Sequence, residues 1–243
     1  MMKKNCGVLA LLFFFLGSST NAQEKKMSGW AMSMNTIQFS PKIIFQFDAQ
    51  LRSSNHLEKP EVLILRPVLG YMINKTTSIG VGVASISSWK SIDEVRDRAD
   101  EFRLWQQFNT TKKYGASTLQ HRLRLEERWL PIVSVENGEF KKTGSNVSSR
   151  FRYFTRLIMP MKRGPQFSKG FFWAVQNEFF FNTTGAVHLN NKFFDQTRTY
   201  GGIGFRMSKT ADLELGYMYQ YVEGRSKSYT SNHIIQFSSF LRL

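Results

Sequence analysis

Residues 119–129 read LQHRLRLEERW, and this stretch decides the fold. Leu119, Leu123, Leu125 and Trp129 alternate with Gln120, Arg122, Arg124, Glu126 and Arg128. A β-strand points successive side chains to opposite faces, so the segment is a ribbon with one apolar and one charged side. Residues 43–52, IIFQFDAQLR, repeat the arrangement: Ile43, Phe45, Phe47, Ala49 and Leu51 face one way, Gln46, Asp48, Gln50 and Arg52 the other. The charged faces carry more full charges than a packed soluble core tolerates, because an unpaired buried charge is very costly. A barrel in a bilayer reconciles the two faces, apolar toward lipid and polar toward the lumen.

The expected fold is therefore all-β: a closed antiparallel transmembrane β-barrel with long outer loops and short periplasmic turns. Alternating segments fall at roughly 29–39, 42–52, 61–73, 77–89, 100–109, 118–130, 148–159, 170–182, 196–207, 212–222 and 231–243. Single-chain bacterial outer-membrane barrels have even strand numbers. Ten strands starting at Lys42 are expected, or twelve; 29–39 is then an extra N-terminal strand, an inner segment, or one half of a further hairpin. The connections 74–76 and 208–210 are tight, whereas 90–99, 131–147 and 183–195 are long; counted back from a periplasmic C-terminus, the long ones fall outside. Aromatic residues such as Phe45, Trp129, Tyr153, Trp173, Phe181 and Tyr217 fall on the apolar faces, as in the girdles of such barrels.

Residues 1–22 read as a secretory signal peptide. Lys3 and Lys4 form the basic start, Val8 to Leu16 the apolar run, and Thr20-Asn21-Ala22 the small residues before cleavage. The run falls short of the ~20 residues that span a bilayer. One barrel domain, 23–243, then remains, with the cell outer membrane of a Gram-negative bacterium as its expected location. Cys6, the sole cysteine, leaves with the signal, and with it any disulfide, thiol nucleophile or cysteine-ligated metal. Removing Lys3 and Lys4 takes the net charge from +15 to +13. Export and the stringing of arginines along strands argue against nucleic acid as the partner. Membrane lipids, lipopolysaccharide and small anionic solutes are the natural counterparts. The final strand, with Ile235, Phe237, Ser239, Leu241 and Leu243 on one face, resembles the signal read by the outer-membrane insertion machinery, ending in Leu rather than Phe.

Several blocks stand in a characteristic order: Trp30; Gln50-Leu51-Arg52; EFRLWQQ at 101–107; HRLRLEER at 121–128; RFRY at 150–153; NEFF at 177–180; Gln196-Thr197-Arg198; and LELGYMYQ at 213–220. Over nearly the whole mature chain this resembles the small Gram-negative outer-membrane proteins grouped as domain of unknown function 2490. The resemblance implies a barrel and no established activity.

The polar halves of the strands assemble a lumen containing Arg103, Arg122, Arg124, Glu126, Arg128, Arg150, Arg152, Glu178 and Arg198, with Arg66, Glu101, Gln107, Arg156, Gln176, Arg206, Glu214 and Gln220. Glu126 is expected to face arginines of the strand starting at Ser148, and Glu101 those of the strand starting at Thr118. Arginine holds carboxylates in bidentate pairs. Two readings follow: an ion-paired ladder that closes a narrow barrel, or an anion-selective lining, because arginines outnumber acids. No catalytic constellation and no cofactor or metal site is expected. A lipase- or acyltransferase-like alternative rests on His121 or His233, the latter with Ser231 two residues away. A soluble exported ligand-binding barrel is a third alternative. The mixed-charge loop 93–101 breaks any carboxylate cage with arginines. Gly80, Gly82, Gly201, Gly202 and Gly204 lie inside strands, where they mark kinks or room for lumen side chains.

Overall fold

In the computed structural model, which describes residues 23–162 and 167–243, eleven strands close into one barrel. The expected signal peptide, 1–22, lies outside the described residues. The strands are β1 (Gln23–Gln38), β2 (Ile43–Ser53), β3 (Pro60–Asn74), β4 (Thr77–Ile92), β5 (Val95–Tyr114), β6 (Ser117–Glu136), β7 (Glu139–Pro160), β8 (Gly170–Thr184), β9 (Phe194–Arg206), β10 (Ala211–Glu223) and β11 (Tyr229–Arg242). Each strand is antiparallel to its neighbour in sequence.

The count corrects the expected ten or twelve. Of the three readings of segment 29–39, the extra N-terminal strand is the one the structure bears out: it forms most of β1 and completes the wall, and is neither an inner segment nor half of a further hairpin. Eleven alternating strands bring the first and last into the same direction, so the closing seam must be parallel. It runs from Gln23↔Tyr229 to Thr36↔Arg242. Gln38 N donates to Leu243 O (2.8 Å) and Leu243 N to Thr36 O (2.8 Å), locking its lower end.

The two ends of the barrel differ. The C-terminus shares one end with the short connections 39–42, 75–76, 115–116 and 207–210. That end also carries the nine-residue connection 161–169, an exception to the short turns expected there. Its Phe167 tucks against Phe172 inside the wall, with ring centroids 5.8 Å apart. At the opposite end, two expected loops are strand instead. β4 and β5 continue to a turn at Asp93 and Glu94 (φ 46 and 67), and β6 and β7 to one at Asn137 and Gly138 (φ 54 and 76). Consecutive positive φ angles belong to the type I′ turn, whose twist matches that of the strands it joins. The hairpin pairing therefore runs unbroken from Trp89↔Arg98 to the first turn. Only 185–193, with a single 3-10 turn at Ala186–His188, is a long irregular connection at this end.

Burial is inverted relative to a soluble barrel. Leu125 and Phe171 on the outer face are each 56% exposed, while Glu126 and Arg150 on the inner face are 2% and 3% exposed. Aromatic contacts ring the outer face near both ends: Phe102–Trp129 (5.4 Å) and Tyr221–Tyr229 (5.2 Å) at the hairpin end, Phe171–Phe205 (4.8 Å) at the C-terminal end. Inside, two apolar clusters flank the charged strands. One joins Trp30, Phe172, Ala174, Tyr200, Met218 and Ile234; the other joins Ile64, Val68, Ala84, Ile86 and Trp105.

Gly82 makes room for the second cluster. A Cβ there would lie 2.5 Å from the buried Trp105 indole, whereas one at Gly201 would meet nothing within 4 Å. Gly82→Ala is expected to destabilise the barrel by about 1–3 kcal/mol, the usual range for overpacking. Gly201→Ala should stay within about 0.5 kcal/mol, as unencumbered surface changes do. Urea unfolding followed by tryptophan fluorescence compares the two, and equal midpoints would show that Trp105 does not need the gap.

Candidate ion-paired lumen

Alternation along β5 to β9 puts every second side chain inside, and the register sets which of them meet. Glu126 on β6 pairs with Arg150 on β7. Arg150 Nη2 donates to Glu126 Oε2 at 2.8 Å, and its Nη1 donates to Asp195 Oδ2 at 2.7 Å. Arg103 Nη1 reaches Glu126 Oε1 at 3.1 Å and its Nε reaches Glu101 at 2.8 Å. Arg128 Nε donates to the same Glu101 at 2.7 Å. Arg152 bridges two acids, Glu178 at 2.7 Å and Glu126 at 3.4 Å, and Arg122 donates to Glu178 at 2.9 Å. Arg103, Arg122, Glu126, Arg128, Arg150, Arg152 and Glu178 thus form one continuous network with Glu101 and Asp195. Separate pairs sit elsewhere on the inner wall: Arg66–Asp48 (2.9 Å), Arg156–Glu214, and Asp212 with Arg206 and Arg242 (2.8 Å each).

Arg124 and Arg198 point inward but stand outside this network, and Arg52 on β2 joins them. Among the described residues none of the three makes an ion pair with a carboxylate; their side-chain partners are glutamines. Arg124 Nη2 donates to Gln107 (2.8 Å), Arg198 Nε to Gln196 (3.3 Å), and Arg52 Nε to Gln50 (2.8 Å). Aromatic rings back them. Arg52 lies 3.6 Å and Arg198 5.2 Å from the Trp30 ring, and Arg124 lies 4.4 Å from Trp105. Such stacking holds the planar cation where water is scarce. The buried Nε of Arg124 and of Arg122 has no hydrogen-bond partner.

These cations line a cavity of about 470 Å³. Its wall runs from Lys75, Thr76, Thr111, Asp212 and Arg242 at the C-terminal end up to Trp30, Arg52, Arg124, Arg152 and Arg198, with Asp48 and Glu178 as its other acids. It stops short of Glu101, Glu126, Arg128, Arg150 and Asp195, which lie toward the hairpin end. The lumen is a basic vestibule below an ion-paired layer.

Asp195, Arg52 and the ring residues Trp30, Trp105 and Phe180 are lumen residues that the sequence list omits. The signal for Arg52 was in its alternation with Leu51 on the same face as Asp48. Asp195 sits within the segment read as a loop, where periodicity carries no information.

The histidines are on the outer wall or in turns. His121 Nδ1 lies 2.9 Å from Tyr153 Oη, and His233 Nδ1 lies 2.6 Å from Tyr217 Oη. Both belong to a polar row in register across β6 to β11: His121, Thr155, Asn177, Thr199, Tyr219 and His233. Asn232, beside His233, turns inward to accept from Ser28 Oγ (2.8 Å). Among the described residues no group of His, Cys, Asp and Glu is placed to hold a metal.

A family model described as protein of unknown function, DUF2490, matches residues 27–231. The chain belongs to the DUF2490 family. Across 99% of its length and all of the relative's, it is 21% identical to an uncharacterized protein of Methylorubrum extorquens. Among solved structures, it superposes on the NanC porin with a TM-score of 0.51 at 10% identity, over 89% of this chain and 98% of the porin. At that identity the likeness concerns the fold. This DUF2490 member is built as a closed β-barrel with the fold of that porin.

Proposed function

We propose that this protein is an outer-membrane barrel, exported with loss of residues 1–22, that admits small anionic solutes to an arginine-rich lumen and performs no catalysis. The observation that carries the reading is the surplus of inner-wall arginine over carboxylate, with Arg52, Arg124 and Arg198 facing the cavity without an acid partner. The inverted burial supports a lipid-facing outer wall, since soluble monomers rarely expose apolar patches beyond a few hundred Å². Lipid and lipopolysaccharide would meet that wall, and the insertion machinery would read β11. The porin fold of a solved neighbour supports passage of solute rather than turnover. The tyrosine partners of His121 and His233 suit interfacial anchoring more than a hydrolase base.

Barrels of about eight strands have interiors that side chains fill, and open aqueous channels belong to 16–18 strands. Eleven strands with an ion-paired layer therefore favour low conductance, gated where Arg150 holds Glu126 and Asp195. Planar-bilayer recordings in a chloride gradient test this. Small events whose reversal potential marks anion preference are expected, more frequent after Asp195→Asn frees one side of Arg150. Cation preference would overturn the anion reading, and silence in both proteins would overturn solute passage.

A further inference from the structure

Resting on the anion-admitting reading of the lumen, we infer that the vestibule holds one saturable site for a compact aliphatic polyanion, such as a small polycarboxylate or phosphate, gripped by Arg52, Arg124 and Arg198. Four observations converge. First, these guanidinium groups face the cavity with glutamine partners and no carboxylate. The acids that share the wall, Asp48, Glu178 and Asp212, are ion-paired to other arginines, so these three leave a net surplus of buried positive charge, whose cost an oxyanion offsets. Second, Arg124 is only 5% exposed, yet its Nε has no hydrogen-bond partner. An unmet donor in a planar fork is the geometry that oxyanions satisfy bidentately.

The third observation sets the ligand class. The Trp and Phe rings that line the cavity are Trp30, Trp105, Phe154 and Phe240, and each carries a guanidinium over it: Arg52, Arg124, Arg122 and Arg156 at 3.6, 4.4, 4.6 and 5.2 Å; the bordering His121 ring is stacked on Tyr153. A planar ring or a sugar face finds these stacking surfaces taken. What reaches the ligand is the N–H edge of the forks, which selects for oxygen-rich charge rather than aromatic or sugar surface. Fourth, the cavity opens by the C-terminal end and ends beneath the ion-paired layer, so a ligand of limited size enters from that side.

Titration calorimetry on the detergent-extracted protein tests the site with citrate and inorganic phosphate. Glycerol serves as the neutral control and adenosine monophosphate as the aromatic anion. Citrate is expected to bind once per chain, and adenosine monophosphate no more tightly than phosphate. Hydrogen bonds to charged groups are worth about 1.5–3 kcal/mol, so Arg124→Gln and Arg198→Gln should each weaken citrate about 10- to 100-fold. Heat-dependent gel migration reports whether each variant still forms the barrel. Arg124→Lys, which keeps the charge and loses the fork, should still weaken citrate, by less than Arg124→Gln. Glycerol binding as well as citrate, tighter adenosine monophosphate, or variants that fold and bind citrate unchanged would overturn the site. If wild-type protein conducts anions selectively but shows no saturable citrate or phosphate binding, the site falls while the lumen reading stands. Cation preference removes both.

Discussion

Glu126→Ala is expected to destabilise the barrel by about 3–5 kcal/mol, the penalty for removing one partner from a buried ion pair. The carboxylate is 2% exposed and accepts from three guanidinium groups, Arg150 at 2.8 Å, Arg103 at 3.1 Å and Arg152 at 3.4 Å. Arg103 keeps Glu101, Arg152 keeps Glu178 and Arg150 keeps Asp195, so none becomes fully unpaired. The loss is nevertheless concentrated, because three cations would then crowd together without the anion between them. Glu126→Gln retains the volume and some acceptor capacity but not the charge, and should recover only part of the difference. Urea midpoints in detergent compare wild type with both variants. A midpoint for Glu126→Ala equal to wild type would mean that the ion-paired layer contributes nothing and that the barrel is held by its ladders and outer wall alone.

The fold was legible because a barrel strand writes its two faces directly into the chain. Leu123, Leu125 and Trp129 against Arg124, Glu126 and Arg128 mark a strand with one apolar and one charged face, which a closed barrel accommodates on its two sides. Three features were less accessible. The strand count depends on a pairing between residues more than two hundred positions apart, Gln23 to Tyr229 at one end of the seam and Thr36 to Arg242 at the other, and no local signal reports it. The β6–β7 extension carries Pro131, Gly144 and several Ser and Lys residues, which dilute the alternation. The Asn137-Gly138 pair was nevertheless a hairpin signal in plain view. In the lumen, β-alternation tells which face a residue takes but not its height, because barrel strands tilt and stagger. Which arginine meets which acid was open wherever the partners are not on neighbouring strands, as with Arg122 on β6 and Glu178 on β8.

Leu125→Arg is expected to reduce folding stability in lipid vesicles by about 2–4 kcal/mol, the range for arginine near the bilayer midplane on a barrel's outer face. Leu125 is 56% exposed and pairs across the strands with Gln106 and Phe151. Along β6 it lies between His121, stacked on Tyr153 toward one end, and Trp129, packed on Phe102 toward the other. That position falls in the band between the two aromatic girdles, where, on the proposed membrane reading, water would not solvate a guanidinium. The same change on the exposed surface of a soluble barrel would stay within about 0.5 kcal/mol. The reciprocal position sharpens the contrast: Arg124, one residue earlier, is tolerated because it points to the lumen and finds Gln107 and the Trp105 face. Urea titrations of the protein folded into vesicles measure the difference. A stability unchanged by arginine at 125 would place the outer wall in water, and the buried charge of the lumen would then belong to an exported soluble barrel.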